Sequence, residues 1–442
     1  MNGITSIREP ARDTPVLTEC DVLVVGGGPA GCAAVVSAAR LGADTILMER
    51  YGFLGGMSTG GLVIWIDRMT DWSGRRVIAG FADDLLDRIP REGLLGPPEE
   101  IWGSRDPKLT EYWRCRAGTF HDTVTWSPTI DPEMLKNASF DIVEECGVRL
   151  VLHAWAAAVI RSEASVQGIV FESKSGRQAV LAKTVIDATG DGDVFALAGE
   201  SFETDIDKQG QHHRMNVAFL CAGVNAERYF QFQRTHRTEW DRIMLRAAQM
   251  DLESIPQPTP REGVFLFMGP RLAGYNCLDV RDLTAVEIES RRRNNRLIDF
   301  FRRCLPGFEK AWLMQTAPQV GVRHSRRLRG VQKMTVEAWT AGERYDDEIG
   351  VSPAPGPEYP NVSIPLNCLV APGHGNLLAA GRNLSCDAKT HNFMREIPNC
   401  WVLGQGAGTA AAVAVNAGRT VDQVDRAEVR RQLINQGVFL QD

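Results

Sequence analysis

The stretch Val22-Leu23-Val24-Val25-Gly26-Gly27-Gly28-Pro29-Ala30-Gly31 constrains this chain more than any other. Four consecutive apolar, mostly β-branched residues suit a parallel strand buried on both faces. The glycines then fit G-x-G-x-x-G. Gly26 permits a tight turn, Gly28 lets the backbone approach a bound group closely, and Gly31 allows a helix to pack on the strand. An Ala-rich helix over 32–41 follows, Gly42 ends it, and Thr45–Met48 make a second strand. The unit is β-turn-α-β in about 30 residues, and its helix N-terminus, with Pro29 and Ala30, offers amides and a positive dipole end to a diphosphate. Glu49 closes the second strand, where a carboxylate grips a ribose 2′-OH and repels a 2′-phosphate. NAD and FAD both fit these residues.

Later segments bear on that choice. After Glu49-Arg50 comes a glycine-rich loop containing Leu54, Gly55, Gly56, Met57, Ser58, Thr59, Gly60 and Gly61, able to lie flat against a second phosphate and a flavin ring. Asp131-Pro132-Glu133 predicts a helix from its N-cap to about Cys146, before Gly147. A strand over 148–152 follows, then hairpins over 157–182 with a turn at Lys174-Ser175-Gly176. Val185-Ile186-Asp187 is a further buried strand that runs into Ala188-Thr189-Gly190-Asp191. From about 203 to 365 the βαβ rhythm stops. That region holds a charged helix over 284–303 and the loop Pro353-Ala354-Pro355-Gly356-Pro357. A strand over 376–380 then ends at Gly381-Arg382, Gly404 to Ala417 read as an Ala-rich helix opened by glycines, and 428–436 as a terminal helix.

Together these stretches resemble the FAD-dependent oxidoreductase family of the glutathione-reductase-type flavoprotein superfamily. The resemblance covers almost the full chain and is weakest at about 62–130 and 203–310. It implies an α/β fold: a Rossmann-like FAD-binding domain, a parallel sheet with helices plus a β-hairpin layer, discontinuous over 1–202 and 366–442. Within it, 62–130 is a variable excursion, and an inserted α+β substrate or cap domain spans 203–365. It further implies that Ala188-Thr189-Gly190-Asp191 closes over FAD and that Gly381-Arg382 meets the ribityl chain. By the same resemblance, Ala156 meets the adenine, and a helix beginning near Gly406-Ala407-Gly408-Thr409 aims its N-terminus at the flavin, stabilising negative charge there.

Residues acting on substrate are expected in His391-Asn392-Phe393-Met394-Arg395-Glu396. Arg395 would orient a carboxylate or carbonyl through bidentate hydrogen bonds, with an Arg395–Glu396 salt bridge as the structural alternative. His391 would take a proton as hydride leaves a C–H bond, or be merely exposed. Arg323, in Gly321-Val322-Arg323-His324, reads as structural ahead of an anchor for an anionic group; relatives often carry an acid where this chain has His324. The arginine runs 291–293 and 326–329 read as solvated faces. Trp65 and Trp72 read as core ahead of an aromatic pocket. No metal is expected, because His212-His213 lacks a third spaced ligand. The ten cysteines are scattered singly with no Cys-x-x-Cys pair, as for reduced, mostly buried thiols.

A net charge of −6 with mixed signs disfavours nucleic acid as a partner. The N-terminus lacks a signal-like apolar core and no long apolar run occurs, so no membrane partner is expected and cytosol is the expected location. The leading expectation is an FAD-dependent dehydrogenase or oxidase that passes hydride from a small-molecule substrate to flavin N5. Its electron acceptor would be O₂, a quinone or a nicotinamide, and its oligomeric state stays open. The alternative is a monooxygenase using NAD(P)H and O₂, disfavoured by Gly381-Arg382 where aromatic hydroxylases usually carry Gly-Asp. A tRNA-modifying enzyme would need a basic surface, and a non-redox flavoprotein would turn over without an acceptor.

Overall fold

The computed structural model describes residues 7–204 and 214–441. Strand β1 (Val16–Val25) leads through the glycine turn to helix α1 (Pro29–Arg40) and strand β2 (Thr45–Met48). Pro29 opens α1, three residues earlier than the Ala-rich run suggested, since a proline's fixed φ is suited to a first helical turn. Helix α2 (Pro132–Glu145) starts as its sequence dictates, the Asp131 carboxylate accepting from the amides of Glu133 and Met134. Strands β3 (Arg149–Val151), β4 (Trp155–Arg161), β5 (Val166–Ser173) and β6 (Gly176–Asp187) follow.

The next region holds β7 (Phe219–Ala222), helices α3 (Ala226–Thr235) and α4 (Arg237–Gln249), strands β8 (Gln257–Pro258) and β9 (Phe265–Phe267), helix α5 (Val280–Cys304) and strand β10 (Trp312–Thr316). Strand β11 (Leu377–Ala379) and helices α6 (Ala388–Met394), α7 (Ile397–Asn416) and α8 (Arg426–Asn435) return to the first unit.

Strands β3, β2, β1, β6 and β11 lie parallel in that order. The upper half of β6 also pairs antiparallel with β5, which pairs with β4. One long strand therefore joins the hairpin layer to the nucleotide sheet. The register puts Val25, Met48, Asp187 and Ala379 at one sheet edge, the carboxyl end where ligands of such sheets bind.

Helix α7 packs along α1 with little between the backbones. A Cβ on Gly404 would lie 2.1 Å from the Ala30 carbonyl, and one on Gly408 would lie 2.0 Å from that of Ala34. Asn416 Nδ2 donates to the Leu41 carbonyl at 3.0 Å, fastening the far ends.

The sheet β8-β9-β7-β10 divides its side chains by strand alternation. Phe219 and Cys221 join an aromatic cluster with Phe265, Phe267 and Phe301 of α5. Leu220 and Ala222 face the other way and pack with Leu62 and Ile64, directly beyond the second glycine loop. Met334, Ile349, Val362 and Ile364 belong instead to the core of the nucleotide unit, although the expected cap boundary lay at 365. Among the described residues no helix is long and apolar enough to cross a membrane.

Candidate active site

One cleft, with a cavity volume of about 120 Å³ and open to solvent, lies at the carboxyl edge of the parallel sheet. Its walls include Gly26, Gly28, Pro29, Ala30, Glu49, Arg50, Gly56, Met57, Ala156, Ala188, Thr189, Gly190, Gly381, Arg382 and Arg395, all singled out in the sequence. Gly28 has an extended backbone, and a Cβ there would meet nothing within 4 Å. That open space lies at the α1 N-terminus, where a diphosphate would be met by backbone amides. Gly31 serves packing, since its Cβ would fall 1.7 Å from the Gly26 carbonyl oxygen.

Glu49 is buried and uses both carboxylate oxygens, accepting from the Gly27 amide at 2.5 Å and the Tyr51 amide at 2.8 Å. Burial raises its carboxyl above the ordinary value against those two donors. Beside it the Arg50 guanidinium lies 5.0 Å from the ring centroids of both Tyr51 and Trp155. Trp155 is 55% exposed and lines the cleft with Ala156, presenting a flat aromatic face for a base to stack upon. Sequence reasoning passed over it in favour of the backbone of its neighbour.

The wall opposite Gly26 is fixed by Asp187. One of its oxygens accepts from the Thr189 amide and hydroxyl at 3.0 and 2.7 Å, the other from the Phe195 amide at 3.0 Å. Burial still pushes this carboxyl up to about 6. Asp191 pairs with Arg382 at 2.8 Å and stands behind the wall, outside the cleft lining. Burial raises the Asp191 carboxyl, but Arg382 outweighs it and holds the group below its ordinary range. Gly55 and Ser58 likewise support from behind: the Ser58 hydroxyl donates to the Gly55 carbonyl at 2.7 Å.

Three expectations are corrected. The last long helix starts at Ile397, with Glu396 as N-cap and Pro398 in its first turn, and not near Gly406. Gly406, Gly408 and Thr409 are buried in mid-helix and do not line the cleft; Gly408 lets α7 touch α1, and Gly406 faces Ile349. Ile397 and Cys400, from the true first turn, line the cleft in their place. His391 is the second case. It is fully buried, its Nε2–H donates to the Arg382 carbonyl at 2.7 Å, and its ring meets that of His324 edge-on at 3.9 Å between centroids. Burial, then His324, holds the imidazole well below its usual value, so it is neutral and shut away from any substrate proton. It braces the Gly381-Arg382 turn.

Arg395 borders the cleft and at the same time bonds Glu396 at 2.9 Å, while its buried Nε has no hydrogen-bond partner among the described residues. The arginine run 291–293 is paired with Glu287 and Glu289 on the helix surface. The other run is no solvated face: Arg327 is fully buried, bonded to the Cys386 carbonyl at 3.0 Å and to Glu203 at 3.1 Å. Trp65 and Trp72 donate to the carbonyls of Ala117 and Ala354. His212-His213 lies outside the described residues, among which no group of three or more potential metal ligands occurs.

The residues at the nucleotide end fit an ADP moiety: an open Gly28, a helix N-terminus, a buried acid and an aromatic face. A curated dihydrolipoyl dehydrogenase of Trypanosoma brucei brucei is 50% identical over 45 residues, which is 10% of this chain and only 9% of that protein. Among solved structures, p-nitrophenol 4-monooxygenase of Pseudomonas putida aligns over 95% of this chain and 85% of its own, at 12% identity and a TM-score of 0.49. A flavoprotein/dehydrogenase of Cytophaga hutchinsonii aligns over 94% and 82%, at 11% identity and 0.49. A geranylgeranyl bacteriochlorophyll reductase-like protein of Thermoplasma acidophilum aligns over 95% and 84%, at 14% identity and 0.46. The FAD dependent oxidoreductase family matches over residues 21–433, nearly the whole chain, so this protein belongs to that family and FAD is its cofactor.

Proposed function

We propose that the cleft holds FAD with its ADP half at Gly28, Glu49 and Trp155 and its reacting ring beside Arg395, and that the protein dehydrogenates a small organic molecule there. The observation that carries this reading is the position of Arg395, on the cleft wall just before α7, with a buried donor unused among the described residues. When bound, FAD supplies a two-electron acceptor for a hydride from a substrate C–H bond.

The chain's own residues do the rest. Gly28 leaves room for the diphosphate, and the Asp187-braced wall keeps Ala188 to Gly190 close to it. The first-turn amides of α7 favour negative charge at the reacting end. Arg395, steadied by Glu396, offers a planar fork to a substrate carboxylate or carbonyl. The passage of β6 from the hairpin layer into the parallel sheet supports membership of the glutathione-reductase-type superfamily.

Anaerobic titration of the purified yellow protein with small organic acids, alcohols and amines tests the reading. Bleaching of the flavin by one of these, without nicotinamide, is the expected result. Prompt bleaching by NADPH, accelerated by an aromatic compound, would replace dehydrogenation with monooxygenation. Oxygen uptake during turnover then separates an O₂-using oxidase from enzymes that pass electrons to a quinone or nicotinamide.

A further inference from the structure

Four arginines from four separate segments lie near enough to act on one another, and one of them, Arg395, lines the cleft. Two backbone pairings assemble three of them. Met215 and Leu272 exchange amide–carbonyl bonds at 3.0 and 2.8 Å, and Asn216 and Gly321 exchange theirs at 3.3 and 2.8 Å. Side chains alternate across such a ribbon. Met215, Leu272 and Val322 pack in one apolar cluster on one face. Their neighbours Arg214, Arg271 and Arg323 therefore leave by the other face. Arg395, on the cleft wall, supplies the fourth guanidinium.

Their charges feel one another. Burial first, then Arg395 and Arg271, draws the Arg323 guanidinium down to about 9, with Glu396 opposing. Burial also lowers Arg271, as do Arg395 and Arg214, against Glu253 and Glu396. The carboxylates that act on Arg271 and Arg323 are Glu396 and the exposed Glu253; Asp67 acts on Glu396 and lies 4.0 Å from Arg68. Among the described residues Arg271 and Arg323 make no ion pair, and the buried Nε atoms of Arg214 and Arg395 have no hydrogen-bond partner. Partly buried like charges with unused donors are unfavourable unless an anion completes them.

We propose that Arg214, Arg271, Arg323 and Arg395 form an oxyanion pocket that holds a dianionic substrate, a dicarboxylate or a phosphate monoester, against the reacting end of the cleft. Four guanidiniums against Glu396 and the exposed Glu253 leave a positive surplus suited to a dianion. Planar guanidinium forks suit either oxyanion bidentately. Bound there, the substrate joins the inserted unit to the nucleotide unit, since three arginines come from the first and Arg395 from the second. This pocket rests on the flavin reading of the cleft.

The test titrates the FAD-loaded protein with succinate and, separately, inorganic phosphate, each against sodium chloride of equal ionic strength. Flavin absorbance and titration calorimetry are followed together. A saturable response is expected. Arg323→Gln and Arg271→Gln, in different segments, should each weaken it by roughly tenfold or more. Arg323→Lys should recover part of the loss, and the surface variant Arg292→Gln should bind as the parent does. A preference for succinate marks the pocket for carboxylates, and a preference for phosphate marks it for phosphate esters. A protein with its full flavin complement but no saturable heat or spectral change overturns the pocket, as do glutamine variants that bind like the parent. Succinate binding in a chain that takes up no FAD would instead sink the flavin reading alone.

Discussion

Two glycine-rich helix segments in this chain look alike in sequence and do opposite things. At Gly26–Gly31 the glycines stand at a helix start, and one of them, Gly28, faces open space at the cleft. At Gly404–Gly408 they stand in mid-helix, and a Cβ on Gly404 or Gly408 would collide with the α1 backbone. The first segment is shaped for a ligand and the second for another helix. Missing side chains say only that something approaches closely; the helix boundary says what.

The sharpest way to break this contrast is a matched pair of valines. Gly408→Val should abolish or severely reduce folding, because its Cβ would sit 2.0 Å from a backbone oxygen that cannot yield. A loss of about 3 kcal/mol or more is expected from overpacking with backbone displacement, read by urea unfolding of the apoprotein. Gly28→Val is the counterpart. Its apoprotein should unfold within about 1 kcal/mol of the parent, while FAD affinity falls at least tenfold, roughly 1.4 kcal/mol. Equal stability losses in the two variants would erase the distinction.

Asp187 sharpens the first half of the contrast, because it holds the wall against which Gly26 turns. Burial raises its carboxyl from 3.8 to about 6, so the folded state binds a proton more tightly than the unfolded chain does. Its contribution to stability is thus full below about pH 4 and is lost as pH rises through about 6. Asp187→Asn should flatten the fall in stability between those values by on the order of 2 kcal/mol, while lowering stability overall through a mismatched amide. An unchanged slope from pH 4 to 7 would show that the wall does not depend on this group.

The smallest effect is expected at the exposed rim. Trp155→Ala should leave unfolding unchanged and weaken FAD binding by about fivefold, roughly 1 kcal/mol, through a lost stacking face beside Arg50. Fluorescence titration of the apoprotein with FAD measures it. No change there would confine recognition of the nucleotide to backbone and Glu49.

What could be read in advance follows the range of the forces involved. The βαβ unit, the Asp131 cap and the hairpin turn at Gly176 are set by neighbours in sequence, and each stands where local chemistry put it. The start of α7 was misplaced because mid-helix glycines resemble a helix opening until α1 is laid against them. His391 was misread for the same reason: only the fold brings His324 and the Arg382 carbonyl around it. Arg214, Arg271 and Arg323 look unrelated until two backbone pairings bring their segments side by side.

The embrace of α1 by α7 also bears on the order of events during synthesis. The Asn416–Leu41 bond closes a contact between residues 375 positions apart. A ribosome adding about 5–20 residues per second needs roughly 20–75 s to cover that interval. Throughout it, the Ala30 and Ala34 flank of α1 stands uncovered by α7. Stable capture of the cofactor therefore awaits the synthesis of α7, and a nascent chain halted before α7 would expose that flank to chaperones or to other chains.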